Sequence, residues 1–220
     1  MLKRSSELLL VLLLAACAST PPTVSEPVPV PSAPAVATPT TAPASTAAAS
    51  VAALPALPAA LQQRMDQAAE LMLAGKKEQA LAHYTAVQQA MPGHVSAWLN
   101  AALIKREQKD LPAALALIEQ SLQHRPNEAR ALTLKGVVLR EQGKMADAKA
   151  SYLAAIAADE GYAPAHRNLA VLADLYLNEL PLALHHMERY AALVGDDKQV
   201  QGWVTELRRR AGSNKGAGTP

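Results

Sequence analysis

Along most of the chain, apolar residues return every three or four positions, the spacing of one helix face. Polar breaks cut this pattern at Gly75-Lys76-Lys77, Gln108-Lys109-Asp110 and Gln142-Gly143-Lys144. Each break divides a pair of amphipathic helices, and the pairs themselves repeat. A displacement of 34 residues lays Ala68, Ala102, Gly136 and Ala170 on one another, Ala80 on Ala114 and Ala148, and Pro92 on Pro126. A fixed period of this size identifies a stacked repeat.

The spacing has a physical cause. Two antiparallel helices bring their backbones closest at one point each, and only Gly or Ala fits there. The columns through Ala102 and Ala114 supply those points. Four residues after the second column stands a large residue, Tyr84, Ile118 or Tyr152. It lies on the same helix face and fills the space between one hairpin and the next. The pair ends at Pro92 or Pro126, which cannot continue a helix. The predicted fold is all-α, an α-α solenoid over residues 59–197 with copies at 61–94, 95–128, 129–162 and 163–197. The fourth copy carries one extra residue in its turn, so Ala183 and Met187 fall one position late.

One more helix is predicted over 198–211. Val200, Trp203, Val204 and Leu207 form a single apolar stripe that closes the last repeat, with Trp203 as its anchor. Arg208, Arg209 and Arg210 fall at its C-terminus, where cations oppose the helix dipole, and read as a solvated cap. Residues 212–220 are expected to be disordered.

The first 58 residues have a different character. Lys3 and Arg4 precede an apolar run, Leu8 to Ala16, too short to span a bilayer. It ends Leu14-Ala15-Ala16-Cys17, which resembles the bacterial lipobox: a signal peptide over 1–16, cut before Cys17, with lipid attached to that cysteine. Ala18 stands where an Asp would imply retention in the inner membrane, so the resemblance implies an outer-membrane anchor facing the periplasm. Residues 18–58 are rich in Pro, Ala, Thr, Ser and Val, with Glu26 as the only charge. Such a segment reads as a disordered linker of polyproline-II character, about 35 Å across as a flexible coil.

Composition narrows the chemistry. Cys17 is the only cysteine, so no intramolecular disulfide forms. A net charge of +2, with no basic stripe among aromatics, argues against nucleic acid. The six histidines, His83, His94, His124, His166, His185 and His186, show no metal-ligand spacing. No nucleophile elbow or phosphate loop occurs. Neither an enzyme nor a cofactor or metal is expected.

The second and third copies resemble the tetratricopeptide repeat family, whose pattern is Trp-x-x-Leu-Gly-x-x-Tyr, then Ala-x-x-x-Phe, then Pro. Trp98, Ala101, Ala102 and Lys105 occupy the first block, Ala114 and Ile118 the second, and Pro126 the last. The third copy offers Leu132, Lys135, Gly136, Leu139, Ala148 and Tyr152, with Glu160 in place of Pro. The resemblance implies a concave groove lined by the first helix of each pair. Carried onto this chain, the groove positions are Ser96, Leu99, Asn100, Leu103 and Arg106, then Arg130, Thr133, Leu134, Val137 and Arg140, then Arg167, Asn168, Val171 and Asp174.

Arg106, Arg130 and Arg140 are expected to form a positive rim about 15 Å long, and Asn100 and Asn168 to bond a peptide backbone. The implied partner is a protein or peptide segment, with acidic residues favoured. In the Lys/Asn/Asn/Lys/Arg set with which some members hold a C-terminal carboxylate, only Asn100 and Arg130 match. Leu134 and Met65 do not, so no such clamp is expected.

Bacterial lipoproteins of this plan include pilotins that help type IV pilus secretins assemble. Others are accessories of TonB/ExbB/ExbD- or Tol-type systems or of peptidoglycan enzymes. By this analogy the expected role is an envelope scaffold, pilotin-like first, with a small-ligand receptor or enzyme as the alternative from another class.

Overall fold

The computed structural model describes the backbone of residues 56–216 and the side chains of residues 56–212. The signal segment, Cys17 and the linker up to residue 55 lie outside them. Among the described residues the chain forms nine helices and no strand. They are α1 (Ala59–Leu73), α2 (Lys77–Ala90), α3 (Val95–Glu107), α4 (Leu111–His124), α5 (Ala129–Glu141), α6 (Met145–Ala158), α7 (Ala163–Leu175), α8 (Leu180–Val194) and α9 (Lys198–Gly216). None is long and apolar enough to cross a membrane.

The helices form a solenoid of hairpins, each helix packed on its neighbours in sequence, with α3 also touching α5 and α5 touching α7. Helices α3, α5 and α7 begin at Val95, Ala129 and Ala163, the predicted starts of the second, third and fourth copies. The small-residue columns are the points of closest approach. Ala68, Ala102 and Ala170 are buried, as are Ala80, Ala114, Ala148 and Ala183. The large residues that follow, Tyr84, Ile118, Tyr152 and Met187, are buried as well. A Cβ placed on Gly136 would lie 2.5 Å from Tyr152 Cε1, so glycine is required there.

The turn inside each hairpin has one recurrent geometry. Gly75, Lys109, Gly143 and Asn178 occupy matching turn positions, and all have positive φ. In the first three, this residue's amide donates to the carbonyl three residues back, and the next amide to the carbonyl five residues before it. The pairs are Gly75 to Met72 and Lys76 to Leu71, Lys109 to Arg106 and Asp110 to Lys105, and Gly143 to Arg140 and Lys144 to Leu139. This closure favours glycine, because a Cβ crowds the backbone in the left-handed region. Lys109 adopts it at φ 64° without that freedom. Lys109→Gly is therefore expected to stabilise the chain by about 0.5–1 kcal/mol, read as a rise of a few degrees in the melting temperature of the full chain. A variant that melts no higher would show that the turn carries no such strain.

Two expectations for the C-terminal end change. Helix α9 runs through Gly216 instead of stopping at 211. The arginines near its end are also paired rather than merely solvated. Arg208 meets Glu188 at 2.8 Å, Arg209 meets Glu206 at 2.7 Å and Arg210 meets Asp174 at 2.7 Å.

Two of the histidines meet in the core. His166 on α7 and His186 on α8 are both buried, with their Nδ1 atoms 3.0 Å apart. His166 Nε2 lies 3.1 Å from the Glu160 carbonyl. That carbonyl can only accept, so His166 carries its proton on Nε2, and the Nδ1–H of His186 donates to His166 Nδ1. Burial pushes the His186 imidazole down to about 4, helped by the neighbouring His185 and His166.

Candidate functional site

The first helices of successive pairs stand side by side and form one wall. Between α3 and α5 this wall opens into a pocket of about 460 Å³. Leu99, Leu103, Thr133, Leu134 and Val137 provide its apolar surface, and Ser96, Asn100, Arg130 and Tyr162 its polar groups. Repeat stacking explains the arrangement: positions 34 apart on α3 and α5 face the same cleft. Arg130 shows the tie directly, because it donates to the Ser96 hydroxyl at 2.9 Å, one repeat back. Thr133 Oγ1 is buried without a hydrogen-bond partner among the described residues.

The remaining predicted groove residues divide. Arg106 is engaged by Glu141, with Nε and a terminal nitrogen 2.7 and 2.6 Å from the same carboxylate oxygen. Arg130 lies 3.3 Å from Glu128. Arg140 stacks over Tyr176, 5.8 Å from the ring centroid. The expected continuous positive rim is thus interrupted, because Glu141 and Glu128 neutralise two of its three arginines. Both acids fall outside the five groove positions read from each copy, which is why the sequence pattern passed over them. The donors of the two asparagines are also partly committed. Asn100 makes a side-chain hydrogen bond with the Tyr84 hydroxyl, and Asn168 donates to the Pro164 carbonyl at 2.8 Å.

Arg167, Val171 and Asp174 lie away from the first pocket. They line a second one, of about 290 Å³, between α7, α8 and α9. Tyr162 is a pocket residue that the groove positions did not include. It precedes the first residue of α7, and burial raises its hydroxyl pKa against the opposing pull of Arg130. Among the described residues no group of three or more His, Cys, Asp or Glu could hold a metal ion.

Comparison with known proteins agrees with this architecture. A family model described as tetratricopeptide repeat matches residues 65–129 and 105–163. No curated protein matches the chain. Among solved structures, the chain resembles MamA with a TM-score of 0.57 and 18% identity, over 69% of this chain and 82% of that one. It resembles PilF of Pseudomonas aeruginosa with a TM-score of 0.62 and 19% identity, over 70% of each chain. It also resembles the first repeat domain of Spaghetti (RPAP3), solved bound to the HSP90 peptide SRMEEVD, with a TM-score of 0.50 and 14% identity, over 54% of this chain and 95% of that one. At these identities the shared feature is the fold. Residues 65–163 match the tetratricopeptide repeat model, and the helical domain has the fold of such a solenoid of helix pairs.

Proposed function

We propose that this chain is an outer-membrane lipoprotein whose repeat domain binds a protein segment in the periplasm while a cell-envelope machine assembles, a type IV pilus secretin first among them. The observation that carries the binding reading is the pocket between α3 and α5, with an apolar surface and the groups of Ser96, Asn100 and Arg130 beside it. An extended segment can bury side chains in such a cleft while rim donors bond its backbone. The fold shared with PilF of Pseudomonas aeruginosa fits the pilus reading. The lipobox-like Leu14-Ala15-Ala16-Cys17 supports the anchor.

Two experiments test it. A photo-crosslinking residue at Leu103 should capture a partner in vivo, and Arg130→Glu with Arg140→Glu should abolish capture while folding is kept. Unchanged capture in the folded double variant would rule this face out. Loss of the protein should leave secretin monomers in detergent extracts; intact secretins with impaired import would point to a TonB-type accessory instead.

The anchor is tested separately. Cys17→Ser should block incorporation of labelled palmitate and release the protein from the membrane or leave an uncleaved precursor. Wild-type protein that takes up no label would end the lipoprotein reading.

A further inference from the structure

The second pocket is built in part by a helix that has no following partner among the described residues. Helix α9 follows α7 at an offset of 35: Val200, Val204 and Leu207 are buried where α7 buries Ala165, Leu169 and Leu172. It therefore stands where the first helix of a fifth repeat would stand. By the same offset, Trp203 falls on the groove column of Asn100, Leu134 and Asn168. The residue that closes the stack is also a residue of the concave wall.

The pocket beside it differs in kind from the one between α3 and α5. At about 290 Å³ it is smaller, at the low end of the range for small-molecule sites, about 300–1,000 Å³. That size suits an inserted side chain better than a whole ligand. Its walls include Val171, Met187, Trp203 and Leu207, and Leu175 at its edge is 69% exposed. Methionine, leucine and indole surfaces together favour an aromatic ring.

The charges are unequal. Asp174 is held by Arg210, and Glu206 is held in bidentate fashion by Arg209. Arg167 is exposed, with its guanidinium 5.8 Å from the Trp203 ring centroid and no carboxylate partner among the described residues. A guanidinium stacked on an indole keeps its N–H edge free for a carboxylate, and the stacking holds the plane in place. The wall carboxylates Asp174 and Glu206 each have an arginine as ion-pair partner, so the charge of Arg167 favours an anionic group from outside.

The geometry points to a second docking site at the C-terminal end of the groove, which takes an aromatic side chain next to a carboxylate on a partner segment: the ring enters the pocket and the carboxylate pairs with Arg167. This rests on the scaffold reading above and adds the partner's chemistry. Adjacent first helices are about 10 Å apart, so the two pockets are separated by roughly two such spacings, or ~20 Å. An extended segment covers that distance in about six residues. One partner segment is therefore long enough to reach both.

The test uses a defined probe, acetyl-Gly-Ser-Glu-Phe-Gly-Ser-Gly-amide, titrated into the isotope-labelled full chain while the Trp203 and Trp98 indole N–H resonances are followed. The expected result is a saturable shift of Trp203 with Trp98 unmoved. Replacing the probe's Glu by Gln, replacing its Phe by Ala, or introducing Arg167→Gln should each weaken binding about tenfold or more, the usual scale for a charged hydrogen bond or a buried ring. Arg167 is exposed, so its variant should fold normally, and circular dichroism checks this. Leu103→Ala in the first pocket should leave the titration unchanged.

A Trp203 resonance that stays put up to millimolar probe overturns the inference. So does equal affinity for the Gln probe or the Arg167 variant, and so does loss of binding in Leu103→Ala. A probe that binds here while crosslinks from Leu103 fail would remove the first-pocket reading and keep this one; the reverse outcome would do the opposite.

Discussion

Gly136→Leu is expected to be the most damaging single substitution in the repeat stack. A Cβ at this position would meet Tyr152 Cε1, Cδ1 and Cζ at 2.5, 2.7 and 2.9 Å, all closer than carbon atoms pack. The Tyr152 ring is fully buried. Even Gly136→Ala sets two effects against each other. Alanine gains about 1 kcal/mol of helix propensity, while overpacking costs about 1–3 kcal/mol. With three ring atoms inside contact distance the steric cost wins, so alanine should destabilise and leucine should do so by about 3 kcal/mol or more.

For a domain of this size each kcal/mol lowers the melting temperature by roughly 2–4 °C. The leucine variant should therefore melt about 6–12 °C below wild type, and the exposed control Gln123→Ala should melt with wild type. Leucine and control variants that melt alike would mean that α5 and α6 do not touch at Gly136. Repeats stabilise one another through neighbours, so hydrogen exchange should also accelerate in α7 and α8.

The second large effect is a loss of stability in mild acid. The unfolded chain protonates His186 near the ordinary histidine value of about 6.5, whereas the folded chain holds it neutral down to about 4. Between those values the unfolded state binds more protons, so stability falls as pH drops through that window. The loss is at most about 3 kcal/mol, and less to the extent that water reaches the ring. The 3.0 Å contact between the Nδ1 atoms of His166 and His186 is part of the cause, because a pair with a proton on both facing nitrogens cannot hold that distance. Chemical denaturation at pH 7 and pH 4.5 should show the difference. His186→Gln should flatten it. A wild-type stability that does not change between those pH values would remove the buried pair as a proton-sensitive element.

The fold was legible because its determinants are local and periodic. Ala102 and Ala114 mark close helix approach wherever they recur, and Ile118 or Tyr152 four residues later fills the gap between hairpins. The late position of Ala183 showed the extra residue in the fourth turn, and α8 begins at Leu180 accordingly. That α3 and α5 would share a cleft was legible for the same reason, since positions 34 apart line the first pocket, although Arg106 and Arg140 are not among its lining residues.

What the period could not show is how side chains from neighbouring repeats answer one another. Glu141 reaches Arg106 across a separation of 35 residues, and Tyr176 receives Arg140 from the preceding repeat. Neither partner sits on the family's groove positions. His166 and His186 met for a similar reason: their contact depends on ring orientation between two helices, which no spacing records. Trp203 was readable as an apolar anchor, but its place in the groove column appears only once α9 is aligned with α7 at an offset of 35.

The joint before α9 also decides how such a stack can grow. Gly195 has φ 87° and ψ −155°, a conformation open essentially to glycine alone. Two residues on, the Asp197 carboxylate accepts from the amides of Gln199 and Val200 and starts the new helix. The outer face of α9 is polar, with Gln201, Thr205 and Arg208 exposed, so a further hairpin added after it would find nothing apolar to rest on. A duplicated pair inserted at Gly195 would meet an apolar face on each side and leave the terminal seal unchanged. Lengthening by whole units is therefore open just ahead of the last helix and closed behind it.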